Sequence, residues 1–242
     1  MAKKNELVNV FNRFEMNYLA EVKKLASNGK YKPFNDEKEL ALIFCNSYAG
    51  TSLDLKDCAL NDGLLAYESY KLYGYTPYLY HDISKREFKL IVQTFLEATT
   101  NKLSIYFIGH GSQTCDRNGD ETDGRDEVFV LRDGYVVDDE VKTLISKYNK
   151  SKQLTLISDC CHSGSIFDIP SDSSILTISA CRDSQCAAQY WFERKGNGCF
   201  SYYFWKYMKT SRNSKDILPK INEKLKPFNQ SCTLNHDCEM IL

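Results

Sequence analysis

Two short segments hold the residue types that acyl transfer uses, an imidazole and a sulfhydryl: Gly109-His110-Gly111 and Asp159-Cys160-Cys161-His162-Ser163-Gly164. Cys161 lies 51 positions after His110. A free thiol has a pKa of about 8.5 and the thiolate is the nucleophile, so a neighbouring base is needed to activate it. A histidine between two glycines sits on an open backbone that another chain can approach; standing alone it reads as a turn residue. The backbone N–H groups of Gly111 and Cys161 are candidates for holding the oxyanion of a tetrahedral intermediate. His-Ser-Gly after Cys161 is expected to open a helix whose N-terminus faces the sulfur. Zinc ligation is the competing use of Cys160, Cys161 and His162, but adjacent cysteines do not match the C-x2-4-C spacing of structural sites. Alternation along a strand turns Cys160 away from Cys161 and into the core.

Joining residues so far apart in sequence is the task of the elements around them. Apolar runs at 40–48, 75–81, 102–109, 154–159 and 174–180 read as strands. Helical stretches at 57–73, 84–98 and 138–148 separate them, the second opened by Ser84 and Glu87 at capping-box spacing. Strands alternating with helices predict an α/β domain with a mostly parallel sheet, whose reactive groups gather at the carboxyl ends of the strands. His110 and Cys161 follow the third and fourth strands, so adjacent parallel strands would set them side by side. Residues 3–27 carry Leu7, Val10, Phe11, Phe14, Tyr18, Leu19 and Val22 at helical spacing. The expected organisation is therefore a helical segment over 1–38 packed on a domain spanning 39–242. Residues 198–205 read as an aromatic helix beneath the sheet, 213–226 as a further helix containing Pro219, and the tail as an edge strand.

Of 242 residues, 43% are hydrophobic and 26% charged, enough for a packed core. The 31 basic and 32 acidic residues leave a net charge of −1, which argues against a nucleic-acid coat. No apolar run approaches the roughly 20 residues of a membrane helix or resembles a signal core, so neither nucleic acid nor membrane is an expected partner. The ten cysteines are expected to be reduced, in the cytoplasm or nucleus.

A wider set of residues, taken in order, resembles the metacaspases, a family of cysteine peptidases in the caspase-like clan. The set comprises Asn46-Ser47-Tyr48-Ala49-Gly50-Thr51, Asn61-Asp62, Gly109-His110-Gly111, Asp123 through Val128, Val137-Asp138-Asp139-Glu140, Asp159 through Ser165, and Ser179 through Gln185. The resemblance covers roughly residues 40–210. It implies a caspase-like three-layer α/β sandwich that cleaves peptides after arginine or lysine, with His110 and Cys161 as the dyad. By the same analogy Asp62 and Asp159 form the pocket for the residue before the scissile bond (P1). That agrees with elementary electrostatics, because a guanidinium stays charged and needs carboxylates, whereas a pocket for aspartate must be basic. The resemblance further implies calcium as activator, held by Asp126, Asp138, Asp139 and Asp168; converging carboxylates repel unless a hard cation joins them. The other acidic residues of 116–127 read as a solvated loop, and their spacing is not that of an EF-hand.

The implied enzyme is a monomer acting on extended peptides with arginine or lysine at P1. Self-cleavage is expected at a basic residue in an exposed loop, with Lys147, Lys150, Lys152 and Arg182 as candidates. Ile108, two positions before His110, stands where many relatives carry serine at the pocket wall. Two alternatives stand beside it: a caspase-like scaffold that binds without cleaving, which belongs to another functional class, and an aspartate-specific caspase. His236 with Cys232 and Cys238 is too small a set for a structural zinc site.

Overall fold

A computed structural model describes residues 39–115, 124–167, 173–193 and 195–242. The helix expected over 3–27, the rest of 1–38, and Asp168 lie outside the described residues. Along the chain run β1 (Glu39–Cys45), α1 (Asp57–Leu72), β2 (Thr76–His81), α2 (Lys85–Ala98), β3 (Lys102–Ile108), β4 (Gly111–Cys115), β5 (Arg125–Leu131) and β6 (Gly134–Val137). There follow α3 (Asp138–Tyr148), β7 (Gln153–Asp159), β8 (Ile175–Ser179), β9 (Gln189–Phe192), β10 (Lys195–Gly198), α4 (Cys199–Met208), α5 (Ser214–Leu225) and β11 (Thr233–Leu234).

All five expected strands join one sheet in the order β11-β8-β7-β3-β1-β2. Its pairs are parallel except β11, which runs antiparallel along β8 as the expected edge strand of the tail. The apolar runs are continuous because both faces of the sheet are covered. On β1, Leu40, Leu42 and Phe44 enter one core with Phe88, Phe95 and Phe107. Ala41, Ile43 and Cys45 enter the other with Tyr70, Tyr106 and Trp205. The capping box forms as its spacing predicts: Glu87 N donates to Ser84 Oγ at 3.3 Å and Ser84 N donates to Glu87 Oε2 at 2.8 Å. The aromatic helix α4 buries Phe200, Phe204 and Trp205 completely under the sheet. This is the caspase-like α/β sandwich that the residues implied.

Two small antiparallel sheets have no counterpart in the sequence reading. One is β4-β5-β6, with a turn at Arg132-Asp133 followed by Gly134, which opens β6 at φ 137°. That Asp-Gly between apolar runs is the signal that could have revealed it. The other is the hairpin β9-β10.

Candidate active site

The register Ile108↔Asp159 between β3 and β7 extends two residues further to His110 and Cys161, so the two strand ends stand side by side. Gly109 N donates to Asp159 O at 3.2 Å, which ties the turns together just before the dyad. Gly111 packs so closely on the carbonyl of Cys161 that a Cβ there would collide with it. His110 and Cys161 therefore follow adjacent strands at one edge of the sheet.

His110 is held on three sides. Its N–H donates to Tyr48 Oη at 2.8 Å, its ring lies 4.9 Å from the Tyr48 ring, and its Nε2 is 2.8 Å from the Leu53 carbonyl. A carbonyl only accepts, so Nε2 carries a proton and Nδ1 of the neutral ring is left as the basic nitrogen. Tyr48 Oη in turn donates to Val130 O at 2.8 Å. Gly109 makes room for this hydroxyl, since a Cβ at that position would lie 2.6 Å from it. The loop carrying Tyr48 and Leu53 is anchored by Asp82, whose Oδ1 accepts from Ser47 N at 2.8 Å and Tyr48 N at 2.9 Å. Tyr48 and Asp82 position the base without being visible as such in the sequence; only Tyr48 falls within the resemblance.

The Ala187 N–H and the Cys186 side chain are the groups that act most on the Cys161 sulfur. Burial, opposed by the Ala187 N–H and reinforced by Cys186, pushes its pKa up to about 12. The resting sulfur is a thiol. The helix expected after Cys161 does not form. Residues 161–167 are turns and bends, with His162 at φ 53°. What fixes this turn is the loop 181–188. His162 N donates to Gln185 O at 3.2 Å, and Ser165 N donates to Asp183 Oδ1 at 2.6 Å. Gly164 permits that approach, because a Cβ would sit 2.5 Å from Asp183 Oδ1. The oxyanion donors must then be strand-end amides rather than a helix N-terminus. Val130 N donates to His110 O at 3.1 Å, which makes Gly111↔Phe129 a non-hydrogen-bonded pair of the β4-β5 ladder. The Gly111 N–H thus points out of the ladder, while the Cys161 amide belongs to the neighbouring turn. Cys160 is fully buried, as alternation predicts.

Asp62 and Asp159 are brought together under the hairpin. A Cβ on Gly198 would lie 2.7 Å from Asp159 Oδ2 and 3.0 Å from Asp62 Oδ2. Asp62 accepts from Asn197 Nδ2 and Gly198 N, both at 2.7 Å. Asp159 accepts from Ser201 Oγ at 2.6 Å and Ser201 N at 3.2 Å. Ser201 spends its single hydroxyl proton on Asp159, so the Tyr106 hydroxyl 2.6 Å away donates to Ser201. Burial raises both carboxyl pKa values, that of Asp159 to about 6 and that of Asp62 well above the ordinary range, where the Asp159 charge adds to the effect. No lysine or arginine among the described residues forms an ion pair with either. Two buried carboxyls facing each other relieve their repulsion by keeping a proton, and a cation placed between them would favour their ionised forms.

The other acidic group gathers where β5 begins and α3 starts. Asp126, Glu127 and Asp138 are buried there, and Asp139 follows. Burial, with Glu127, Asp139 and Asp126 nearby, raises the Asp138 carboxyl to about 7 against the Asp139 N–H bond that lowers it. Glu127 Oε2 is buried without a hydrogen bond. Among the described residues no three His, Cys, Asp or Glu side chains form a ready-made metal-binding group.

A family profile described as the caspase domain of the C14 peptidases matches residues 38–239. The chain belongs to this caspase-domain family. Among curated relatives, metacaspase-1A of Neurospora crassa is 44% identical over 73 residues, 28% of this chain and 16% of that protein. Metacaspase-1A of Aspergillus terreus and metacaspase-1 of Ajellomyces capsulatus are each 43% identical over 75 residues, 29% of this chain. These matches span 19% and 21% of the respective relatives, so the chain covers only a part of each. The crystal structure of protein GSU0716 from Geobacter sulfurreducens shares the fold at TM-score 0.63, with 22% identity, 81% of this chain and 92% of that one covered. The chain is thus a caspase-like member of a cysteine peptidase family with metacaspase homologues, which matches the resemblance read from its residues. Within that family frame Cys232 proves to be a core residue whose N–H donates to Asn222 Oδ1 at 2.7 Å. No helix among the described residues is long and apolar enough to cross a membrane.

Proposed function

We propose that the chain is a cysteine endopeptidase that cuts after arginine or lysine and is activated by calcium. The observation that supports this most is the buried, cation-free pair Asp62 and Asp159 beside the strand end of Cys161. A guanidinium or ammonium of the P1 residue would supply the missing charge. The pair is 2% and 6% exposed, so the cation gains entry when the β9-β10 hairpin lifts. In the reaction, Cys161 Sγ leaves Ala187 and Cys186 and attacks the scissile carbonyl as His110 Nδ1 takes its proton. The oxyanion forms against the Gly111 and Cys161 amides. His110 then protonates the leaving amine, and water, deprotonated by the same ring, releases the acyl group. The Leu53 carbonyl holds the ring in the required tautomer and accepts a stronger bond once it is charged.

Calcium would be held by Asp126, Asp138, Asp139 and Asp168. The orphaned Glu127 oxygen and the raised Asp138 carboxyl fit a hard cation, which would neutralise carboxylates that otherwise repel. Self-cleavage would fall at Lys150 or Lys152, which are exposed in the connection after α3, rather than within that helix at Lys147. The resting sulfur, whose pKa burial raises to about 12, favours a second reading, a scaffold that binds peptides without cutting them.

Hydrolysis of fluorogenic peptides with arginine, lysine or aspartate at P1, with and without calcium, under reducing conditions, separates these readings. Turnover of the basic substrates that needs calcium supports the proposal. A preference for aspartate overturns the pocket, and a folded protein that binds but never cleaves makes it a scaffold.

A further inference from the structure

Cys186 is exposed and lies next to Gln185, whose carbonyl accepts from the N–H of His162, the neighbour of the half-buried Cys161; the two thiols are close enough to influence one another. Their proximity is built into the fold. Residues 182–188 are clamped to the Cys161 turn on one side through His162 N to Gln185 O and Ser165 to Asp183. On the other side Gln185 Nε2 donates to Asn229 O at 2.9 Å, Ser231 N to Gln185 Oε1 at 3.1 Å, and Ala188 N to Gln230 Oε1 at 3.0 Å. The residues bracketing Cys186 are therefore fixed from both directions, and its thiol is left against the nucleophile and open to solvent. The other sulfur close to Cys161, that of Cys181, is buried and directed at the Cys160 and Gln185 carbonyls at 3.2 and 3.3 Å.

We propose that Cys186 is an oxidation site that captures the nucleophile Cys161 in a reversible disulfide when the protein meets a hydroperoxide. The Cys186 sulfur attacks one peroxide oxygen; the O–O bond breaks, the sulfur is oxidised to sulfenic acid, and the other oxygen takes up the thiol proton and leaves as water, or as the alcohol from an organic hydroperoxide. The Cys161 sulfur then attacks that of Cys186. The S–O bond breaks, the hydroxyl departs as water with the Cys161 thiol proton, and the S–S bond closes. A thiol reductant reverses the second step's product to two thiols. The disulfide removes the nucleophile while shielding it from irreversible sulfinic and sulfonic acids. That it silences a peptidase rests on the function proposed above; the bond itself does not.

The full chain, reduced and then treated with hydrogen peroxide, is alkylated and digested without reductant, and its linked peptides are identified by mass. A Cys161–Cys186 pair, lighter by about 2 Da than the two thiol peptides, should accumulate in step with loss of Arg-P1 hydrolysis, and dithiothreitol should reverse both. In Cys186→Ser the cross-link is absent and activity regained on reduction falls by at least about tenfold, because Cys161 proceeds to sulfinic acid. Cys161 joined instead to Cys181, or oxidised to sulfinic acid in the wild type with Cys186 left free, overturns the proposal. A Cys161–Cys186 cross-link in a chain that never cleaves peptide upholds the site and rejects the peptidase reading.

Discussion

Substituting asparagine for Asp159 would pull apart the two tasks of the buried acidic pair. The folded carboxyl titrates at about 6, above its ordinary 3.8, so the folded chain holds a proton that the unfolded chain has lost. Stability from that proton is complete below 3.8 and disappears as pH rises through about 6. Melting temperature should fall between pH 5 and pH 8 in the wild type and fall less in Asp159→Asn, as read by thermal unfolding. Activity should run the other way. Turnover of an Arg-P1 peptide rises through pH 6 as the pocket ionises, and Asp159→Asn lowers kcat/KM by about 10- to 100-fold, the loss of one charge-assisted contact of about 1.5–3 kcal/mol. An equal pH profile in both proteins would remove Asp159 from the pocket. Cys161→Ala should lose at least about a thousandfold in turnover. Cys160→Ala should keep turnover and destabilise the fold by on the order of 1 kcal/mol, the effect of a small core cavity. The histidine and cysteine were legible at this scale because few residue types do their chemistry. Tyr48 and Asp82 were not, since a tyrosine hydroxyl and a turn aspartate announce no role until their partners, 62 and 35 positions away, are known.

The elements that carry these residues differ in how plainly the sequence declares them. Five strands of the central sheet show as apolar runs because helices cover both faces, and α2 shows through its capping box. The hairpin β9-β10 has no such pattern. Its residues are largely exposed on β9, and its position depends on Asn61 Nδ2 donating to Gly196 O at 2.8 Å and on Asp62 receiving Asn197, each across 135 positions. Gly198→Ala should press a methyl group onto both pocket carboxylates. The expected result is a rise in KM for Arg-P1 peptides of at least about tenfold with the fold retained, measured by steady-state kinetics and circular dichroism. Tyr48→Phe deletes the hydroxyl joining His110 N to Val130 O. It should destabilise by about 1–3 kcal/mol and lower kcat more than it changes KM, because the base loses its alignment while the pocket is untouched.

Across the whole molecule, the acidic group at the start of β5 and α3 is linked to His110 by the strand β5. Val130 on that strand contacts both Tyr48 Oη and His110 O. Neutralising Asp126, Asp138 and Asp139 would steady β5 and hence the imidazole. Calcium should raise the melting temperature at pH 8, and Asp138→Asn should raise it without calcium and remove most of the further gain, because its carboxyl titrates at about 7 and is ionised at that pH at a cost. A full calcium response in Asp138→Asn would exclude this site. The alternation of strands and helices, and the order of His110 and Cys161 along it, were determined by the sequence alone. Apolar periodicity defines elements, and adjacent parallel strands deliver their carboxyl ends to one edge. Only the tertiary structure decided what each reacting atom touches: the Leu53 carbonyl for the imidazole, Cys186 and Ala187 for the sulfur, Gly198 between the carboxylates. Those contacts join loops through hydrogen bonds between distant residues, and no local pattern of residue types encodes such a pairing.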